Sequence, residues 1–316
     1  MTRILLDTDM GSDVDDALCL LLALAAPGVE LAGVTTVAGD TRLRARIARK
    51  LLDLAEQHDI PVWAGEGTPL SAENKFFAHG SEGRGIFADG DGESGTAIEI
   101  SGEDAVAAMA EDLRAHPDTE VVAIGPMTNL ARLIERFPEE AARIPQLTIM
   151  GGHLRPIRFG ERQFPFGVDY NICSDPDAAA RVLAAGIPTR LVTADVTLRT
   201  WLTCEDRERL GTSRNPAVAA ALRALDLWTP VQASLFAEFT DLSDNVAFLH
   251  DPLALVCALD ESFCHFEELA VTTAWQDGVF RTLEAGDSSA APTLRCALEV
   301  DGPRFAAHFV ETLLRL

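Results

Sequence analysis

Apolar and polar positions fall in blocks along this chain. The run Ile4-Leu5-Leu6 stops at the polar block from Asp7 to Asp16, and Ala17-Leu18-Cys19-Leu20-Leu21-Leu22 follows at once. A short β-prone run, a polar turn and a longer apolar stretch predict a strand leading into a helix. The pattern recurs. Leu31–Val37, Ile60–Trp63, Glu120–Ile124, Gln146–Met150 and Pro188–Val192 all read as strands between helical stretches. Strands alternating with helices predict an α/β fold, an open, mainly parallel sheet flanked by helices. Helix starts are marked by Asp40 before an Arg-rich segment ending near His58, by Ser101 with Asp104 as a capping box, and by Asp175-Pro176 and Asn215-Pro216. No repeat or Pro/Ser-rich linker divides the chain, so residues 1–316 are expected to form a single domain.

Gly65 to Gly95 breaks the pattern, with glycines at 80, 83, 85, 90, 92 and 95 in polar sequence. It reads as a long loop suited to a lid over a site. It lacks the spacing and the Lys-Ser or Lys-Thr pair of a phosphate-cradling loop. Composition narrows the function. A hydrophobic content of 47% supplies a core, while a formal charge of -23 opposes binding to nucleic acid or an anionic membrane surface. No apolar run reaches membrane-spanning length, and no basic, then apolar leader precedes the first strand, so a cytoplasmic soluble protein is expected. The six cysteines form no CxxC pair and read as reduced core residues.

The polar block itself carries the chemistry. Asp7, Asp9, Asp13, Asp15 and Asp16 fall within ten residues, where the first strand ends and a helix begins. In open α/β sheets ligands bind at that edge. Helix capping accounts for two or three acidic residues, but five repel one another unless a cation sits among them. With no Cys or His beside them, the oxygen donors suit Ca²⁺ or Mg²⁺, and the spacing is not that of an EF-hand. Other strand ends supply further donors: backbone carbonyls at Ile124-Gly125-Pro126, and Asp251 beside His250 at a helix start.

Five blocks in register resemble the inosine-uridine preferring nucleoside hydrolases. They are Asp7-Thr8-Asp9-x-Gly with Asp15-Asp16-Ala17-Leu18, Gly125-Pro126-Met127-Thr128-Asn129-Leu130-Ala131, Met150-Gly151-Gly152, Asp169-Tyr170-Asn171-Ile172 ahead of Asp175-Pro176, and His250-Asp251-Pro252-Leu253-Ala254. The resemblance implies Ca²⁺-dependent hydrolysis of the N-glycosidic bond of a ribonucleoside, giving ribose and free base, through an oxocarbenium-like transition state. It implies a Ca²⁺-bound water activated by Asp9, which also binds the metal with Asp16, Asp251 and the Ile124 carbonyl. Asp15 accepts from a ribose hydroxyl, Asp169 and Asn171 contact the sugar, and His250 protonates or contacts the leaving base. Asp7 orients its neighbours, and His79 is a weaker base-side candidate. A homodimer or homotetramer is also implied.

Several positions depart from the family pattern. Met10 replaces a proline, and two extra residues, Asp13-Val14, precede Asp15-Asp16. Asp40, Gln163 and Asp169 stand where two asparagines and a glutamate are usual, and all three bear on sugar recognition. Phe159, Phe164, Phe166, Trp228 and Phe236 are aromatic candidates for the base side or for the core. Two alternatives fit the first block alone: a haloacid-dehalogenase-like, Mg²⁺-dependent phosphatase with Asp7 as nucleophile, and a noncatalytic metal-binding protein of the same fold. The phosphatase needs a lysine near its phosphoryl group, and only Lys50 and Lys75 are available.

Overall fold

Strand β1 (Thr2–Thr8) lies inside a sheet, and its alternating side chains feed two cores. Ile4 and Leu6 pack with the Asp15–Ala25, Pro216–Phe236, His250–Leu259 and Gly302–Leu313 helices. Leu5 packs on the opposite face with the Ala105–Ala115, Thr128–Arg136 and Pro176–Leu183 helices. This is the period-two consequence of a strand covered on both sides. The Asp15–Ala25 helix is apolar nearly all round, and residues 15–23 are buried. A helix of that composition is stable only between layers.

The computed structural model describes residues 1–316 except 12, 72, 77–79, 93–94, 160, 166, 240–241 and 287–290. Its strands after β1 are β2 (Val29–Thr36), β3 (Val62–Ala64), β4 (Glu120–Ala123), β5 (Leu147–Met150), β6 (Arg158–Phe159) and β7 (Arg162–Gln163). They continue with β8 (Thr189–Val192), β9 (Trp201–Leu202), β10 (Ala247–Phe248), β11 (Cys264–Gln276), β12 (Val279–Glu284) and β13 (Thr293–Val300). The main sheet runs β12-β11-β13-β8-β5-β4-β1-β2-β3, parallel from β13 to β3. Within this sheet only the pairings of β11 are antiparallel, and β6–β7 and β9–β10 form separate antiparallel pairs.

From β1 the chain winds outward through β2 and β3, then returns to add β4, β5 and β8 on the other side. The switch point therefore lies between β1 and β4. There the carboxyl ends of neighbouring strands diverge and leave a crevice. The register places Asp7 opposite Thr35 on β2 and Ala123 on β4, so the acidic block and Ile124 emerge side by side. Among the described residues, no helix is long and apolar enough to cross a membrane.

Local details differ from expectation in three places. Asp104 alone caps the Ala105–Ala115 helix, accepting from Ala107 N at 3.0 Å, whereas the Ser101 hydroxyl accepts from Val62 N at 2.9 Å. Asp40 does cap its helix, but that helix ends at Leu54. Cys204 is exposed, unlike the buried Cys19, Cys257 and Cys296.

Candidate active site and metal centre

Asp7 never reaches the crevice. It is fully buried behind it, accepting from Thr35 Oγ1 at 2.7 Å and from Asn129 Nδ2 at 2.7 Å, with Oδ2 unpartnered. Asn129 ties three segments together, since Nδ2 also donates to the Thr36 carbonyl at 3.1 Å and Oδ1 accepts from Glu66 N at 2.8 Å. Burial pushes the Asp7 carboxyl up to about 7.

Two residues on, Asp9 turns into a cavity of about 310 Å³. Gly125 packs so closely that a Cβ there would lie 2.9 Å from both Asp9 N and Asp9 Oδ1, so only glycine fits. From the other side, Arg44 donates to the carbonyls of Asp9, Met10 and Ala38. Burial raises the Asp9 carboxyl, and the Arg44 charge opposes that rise.

Asp15 and Asp16 open one helix, and His250 and Asp251 open another. The two N-termini converge, with Asp251 N donating to Asp15 Oδ2 at 3.3 Å and the Thr8 hydroxyl donating to Asp16 Oδ1. One carboxylate oxygen from each of Asp15, Asp16 and Asp251 lies within 4.8 Å of the other two. All three groups are held well above the usual carboxylate range, first by burial and then by neighbouring carboxylate charge: Asp13 and Asp9 at Asp15, Asp9 and Asp15 at Asp16, and Asp15 and Asp16 at Asp251. Helix dipoles favour these anions, but about 0.5 of a charge at each N-terminus does not offset three. A bound cation would. The oxygen-only donors, with the Ile124 carbonyl at the same cavity, suit a hard ion that takes six to eight oxygens. This three-aspartate group fits Ca²⁺.

The sugar-side candidates separate. Asn171 is buried at the cavity, and its Nδ2 donates to the carbonyls of Ile124 at 2.9 Å and Met150 at 3.1 Å. Only its Oδ1 is left to meet a sugar hydroxyl, as an acceptor. Asp169 also lines the cavity while capping the Tyr170–Ser174 helix through Ile172 N at 2.9 Å, and burial pushes its carboxyl up to about 6. Asp40 and Gln163 are exposed and do not line it. Asp40 caps its helix by accepting from Leu43 N at 3.0 Å. Asp13 does line the cavity; it is half-buried, yet burial followed by the charge of Asp16 pushes its carboxyl up to about 8. His79 lies outside the described residues.

His250 meets the cavity beside an aromatic wall. Its Nδ1 lies 2.6 Å from Thr197 Oγ1, its ring is 5.4 Å from that of Phe248, and burial lowers it to about 4. Phe164 and Phe236 line the same cavity as a stacked pair with centroids 5.6 Å apart. Trp228 lines it too, Phe159 stands behind the pair, and Phe166 lies outside the described residues. Sequence reading gave no role to Thr35, Arg44, Thr197 or Asn129. Asn129 had a signal in the Gly-Pro-Met-Thr-Asn block, whereas Thr197 had none.

The phosphatase alternative loses its lysine. Lys50 pairs with Asp91 at 2.7 Å, and neither Lys50 nor Lys75 lines the cavity.

Comparison with known proteins agrees across nearly the whole chain. The sequence profile described as "Inosine-uridine preferring nucleoside hydrolase" matches residues 4–307. A probable uridine nucleosidase 2 of Arabidopsis thaliana is 28% identical, covering 99% of this chain and 97% of the relative. A pyrimidine-specific ribonucleoside hydrolase of Escherichia coli is 35% identical, covering 71% and 70% respectively. Among solved structures, the purine-preferring ribonucleoside hydrolase from Gardnerella vaginalis superposes with a TM-score of 0.79 at 25% identity, covering 99% of this chain and 98% of that one. With a buried aspartate trio suited to Ca²⁺ at the sheet's switch point, the chain belongs to the inosine-uridine preferring nucleoside hydrolase family and is a nucleosidase that hydrolyses the N-glycosidic bond of a ribonucleoside.

Proposed function

We propose that Asp9 is the general base of this hydrolysis and that Asp15, Asp16 and Asp251 form the carboxylate part of the Ca²⁺ site, with the Ile124 carbonyl beside them. The supporting observation is the convergence of two helix N-termini that bring three buried carboxylates together at the cavity that Asp9 also lines. The sequence comparison made Asp9, Asp16 and Asp251 the ligands and gave Asp15 to the sugar. The geometry supports adding Asp15 to the group, and the trio within 4.8 Å does not include Asp9. A cation held there acidifies water and offsets carboxylate charge.

Asp9 takes the proton from the attacking water. Arg44 and the close approach of Gly125 fix its backbone, and Arg44 favours the ionised form that a base requires. As the bond from C1′ to the base breaks, positive charge develops on the sugar, and the surrounding carboxylates stabilise it. Asp169 and the Oδ1 of Asn171 orient the ribose hydroxyls. Asp40 and Gln163 are exposed, which weakens their assignment to the sugar. His250, neutral near pH 7, hydrogen-bonds the departing base.

Residues 1–316 act in this proposal as one catalytic unit, supported by a sheet that draws strands from both ends of the chain. A cytoplasmic homodimer or homotetramer completes the proposal on family resemblance alone. Replacement of Asp9 by Asn tests the base: ribose release from a nucleoside panel should fall by about 10³-fold with the fold intact. Undiminished release would remove Asp9 from that role.

A further inference from the structure

Two sulfurs meet away from the cavity, at the far end of the helix that opens with His250 and Asp251. Cys257 lies in the last turns of that helix, His250–Leu259, and Cys264 is the first residue of β11. Cys257 is buried and its thiol donates to Cys264 Sγ at 3.6 Å, while Cys264 is half-buried. Both are free thiols. Seven residues apart, they carry no CxxC signature in the sequence.

The connection between them holds the contact from several sides. Asp260 N donates to the Val256 carbonyl at 2.7 Å and Ser262 N to Asp260 Oδ1 at 2.8 Å, so the chain leaves the helix in a tight turn. Glu261 accepts from Arg190 Nε at 2.9 Å and from Arg295 Nε at 3.0 Å. Phe263 is buried against Phe305, with the Arg304 guanidinium over its ring. Cys264 then enters the sheet opposite Val300. Sulfurs fixed in this way stay neighbours, and a disulfide at about 2.05 Å needs a further approach of only about 1.5 Å, within the reach of side-chain rotation. The two thiols are not equivalent. Contact with Cys264, and then burial, pushes the Cys257 thiol up, whereas Cys264 is the more accessible of the two.

We propose that Cys257 and Cys264 form a reversible oxidation site that closes to a disulfide under a peroxide, stapling the end of the His250–Leu259 helix to β11. The inference stands independently of the nucleoside hydrolase reading. Cys264 sulfur attacks the peroxide, the O–O bond breaks, and a sulfenic acid and one water result. Cys257 sulfur then bonds to Cys264 sulfur, the S–O bond breaks, and the hydroxyl leaves with the Cys257 proton as a second water. Two thiols lose two electrons and the peroxide gains them. A small dithiol reverses the change by exchange.

The test treats the full chain with hydrogen peroxide, quenches it, alkylates the remaining thiols without reductant and cleaves after acidic residues. Glu261 lies between the cysteines, so cleavage there leaves two peptides joined only by the new bond. A joined pair, lighter by two hydrogens and separated by a dithiol, is the expected result. Cys204→Ser, which removes the exposed thiol, should leave the link intact, and Cys257→Ser should leave Cys264 as a sulfenic acid trapped by dimedone. The link closes a short loop, so the oxidised protein should melt about 3 °C or more above the reduced one, and the dithiol should cancel the difference. The unaltered protein carries the test if a variant misfolds. Alkylation of both Cys257 and Cys264 after peroxide, or oxidation of Cys264 to a sulfinic acid without a link, would overturn the proposal. A linked protein that melts no higher would overturn the staple.

Discussion

The two ends of β1 treat charge in opposite ways. At the amino end, Arg3 meets Asp112 at 2.6 Å, pairs with Glu30 and donates to Thr119 Oγ1 at 3.2 Å, while Thr119 in turn donates to Asp112 at 2.8 Å. Asp112 has both a cationic and a hydroxyl partner there, and Glu30 has a cationic one. At the carboxyl end, Asp7, Asp9 and the nearby Asp13, Asp15 and Asp16 are pushed upward by burial, and the Arg44 charge opposes the trend at Asp9 and Asp16. The same strand thus begins in a balanced network and ends in an unbalanced one. The difference separates a stabilising edge from a functional one, because a cluster of buried carboxylates without matching cations marks a ligand site.

Four experiments test that contrast. The largest effect belongs to Asp9→Asn, with the loss of about 10³-fold in ribose release expected of a missing base. Next, Asp16→Asn and Asp251→Asn should each abolish most of the Ca²⁺-induced rise in Tm, read by thermal unfolding with and without the ion. A full Ca²⁺ response in both variants would place the ion elsewhere.

The third experiment uses pH. Asp169, Asp7 and Asp13 have folded values of about 6, about 7 and about 8 against an ordinary 3.8, so between about pH 4 and pH 8 the folded chain binds more protons than the unfolded one. These groups stabilise the metal-free protein fully below the unfolded value, and that stability is lost as pH rises through the folded values. His250 works the other way, since its value of about 4 lies below 6.5 and its contribution is lost as pH falls. Added Ca²⁺ offsets the carboxylate repulsion where it is greatest. The Tm rise should therefore grow from about 2 °C or less near pH 5 to about 5 °C or more near pH 8. A rise that shrinks with pH would contradict the sign.

The smallest effects separate support from pairing. Asn129→Ala leaves Glu66 N without its acceptor and takes a donor from buried Asp7, so urea unfolding should report a loss of about 2–4 kcal/mol. Arg3→Ala removes a partly exposed network at the balanced end and should lose about 1 kcal/mol or less. An Arg3 loss exceeding that of Asn129 would reverse the comparison.

Much of this was legible in the sequence for definite reasons. Strands β1, β2, β4, β5 and β8 each carry a short buried apolar stretch, because both faces of a parallel sheet are covered, and the acidic block marks the end of β1. Strands β11 to β13 went unread, because Cys264–Gln276 mixes exposed and buried positions and carries no continuous apolar signal. In the site, the order of the aspartates was visible, but their grouping was not. That Asp15 joins Asp16 and Asp251 depends on where the His250–Leu259 helix docks, a contact 236 residues distant in sequence. Asp40 and Gln163 show the converse: their places in the motif suggested sugar contacts, yet capping and an exposed two-residue strand hold them away from the cavity.

The most direct test of the central claim is ribose release from uridine and inosine by protein stripped with a chelator, measured before and after Ca²⁺ is restored. The unbalanced carboxylates predict a drop of about 100-fold or more on stripping, with recovery on adding the ion. Full turnover in the stripped protein would contradict the account.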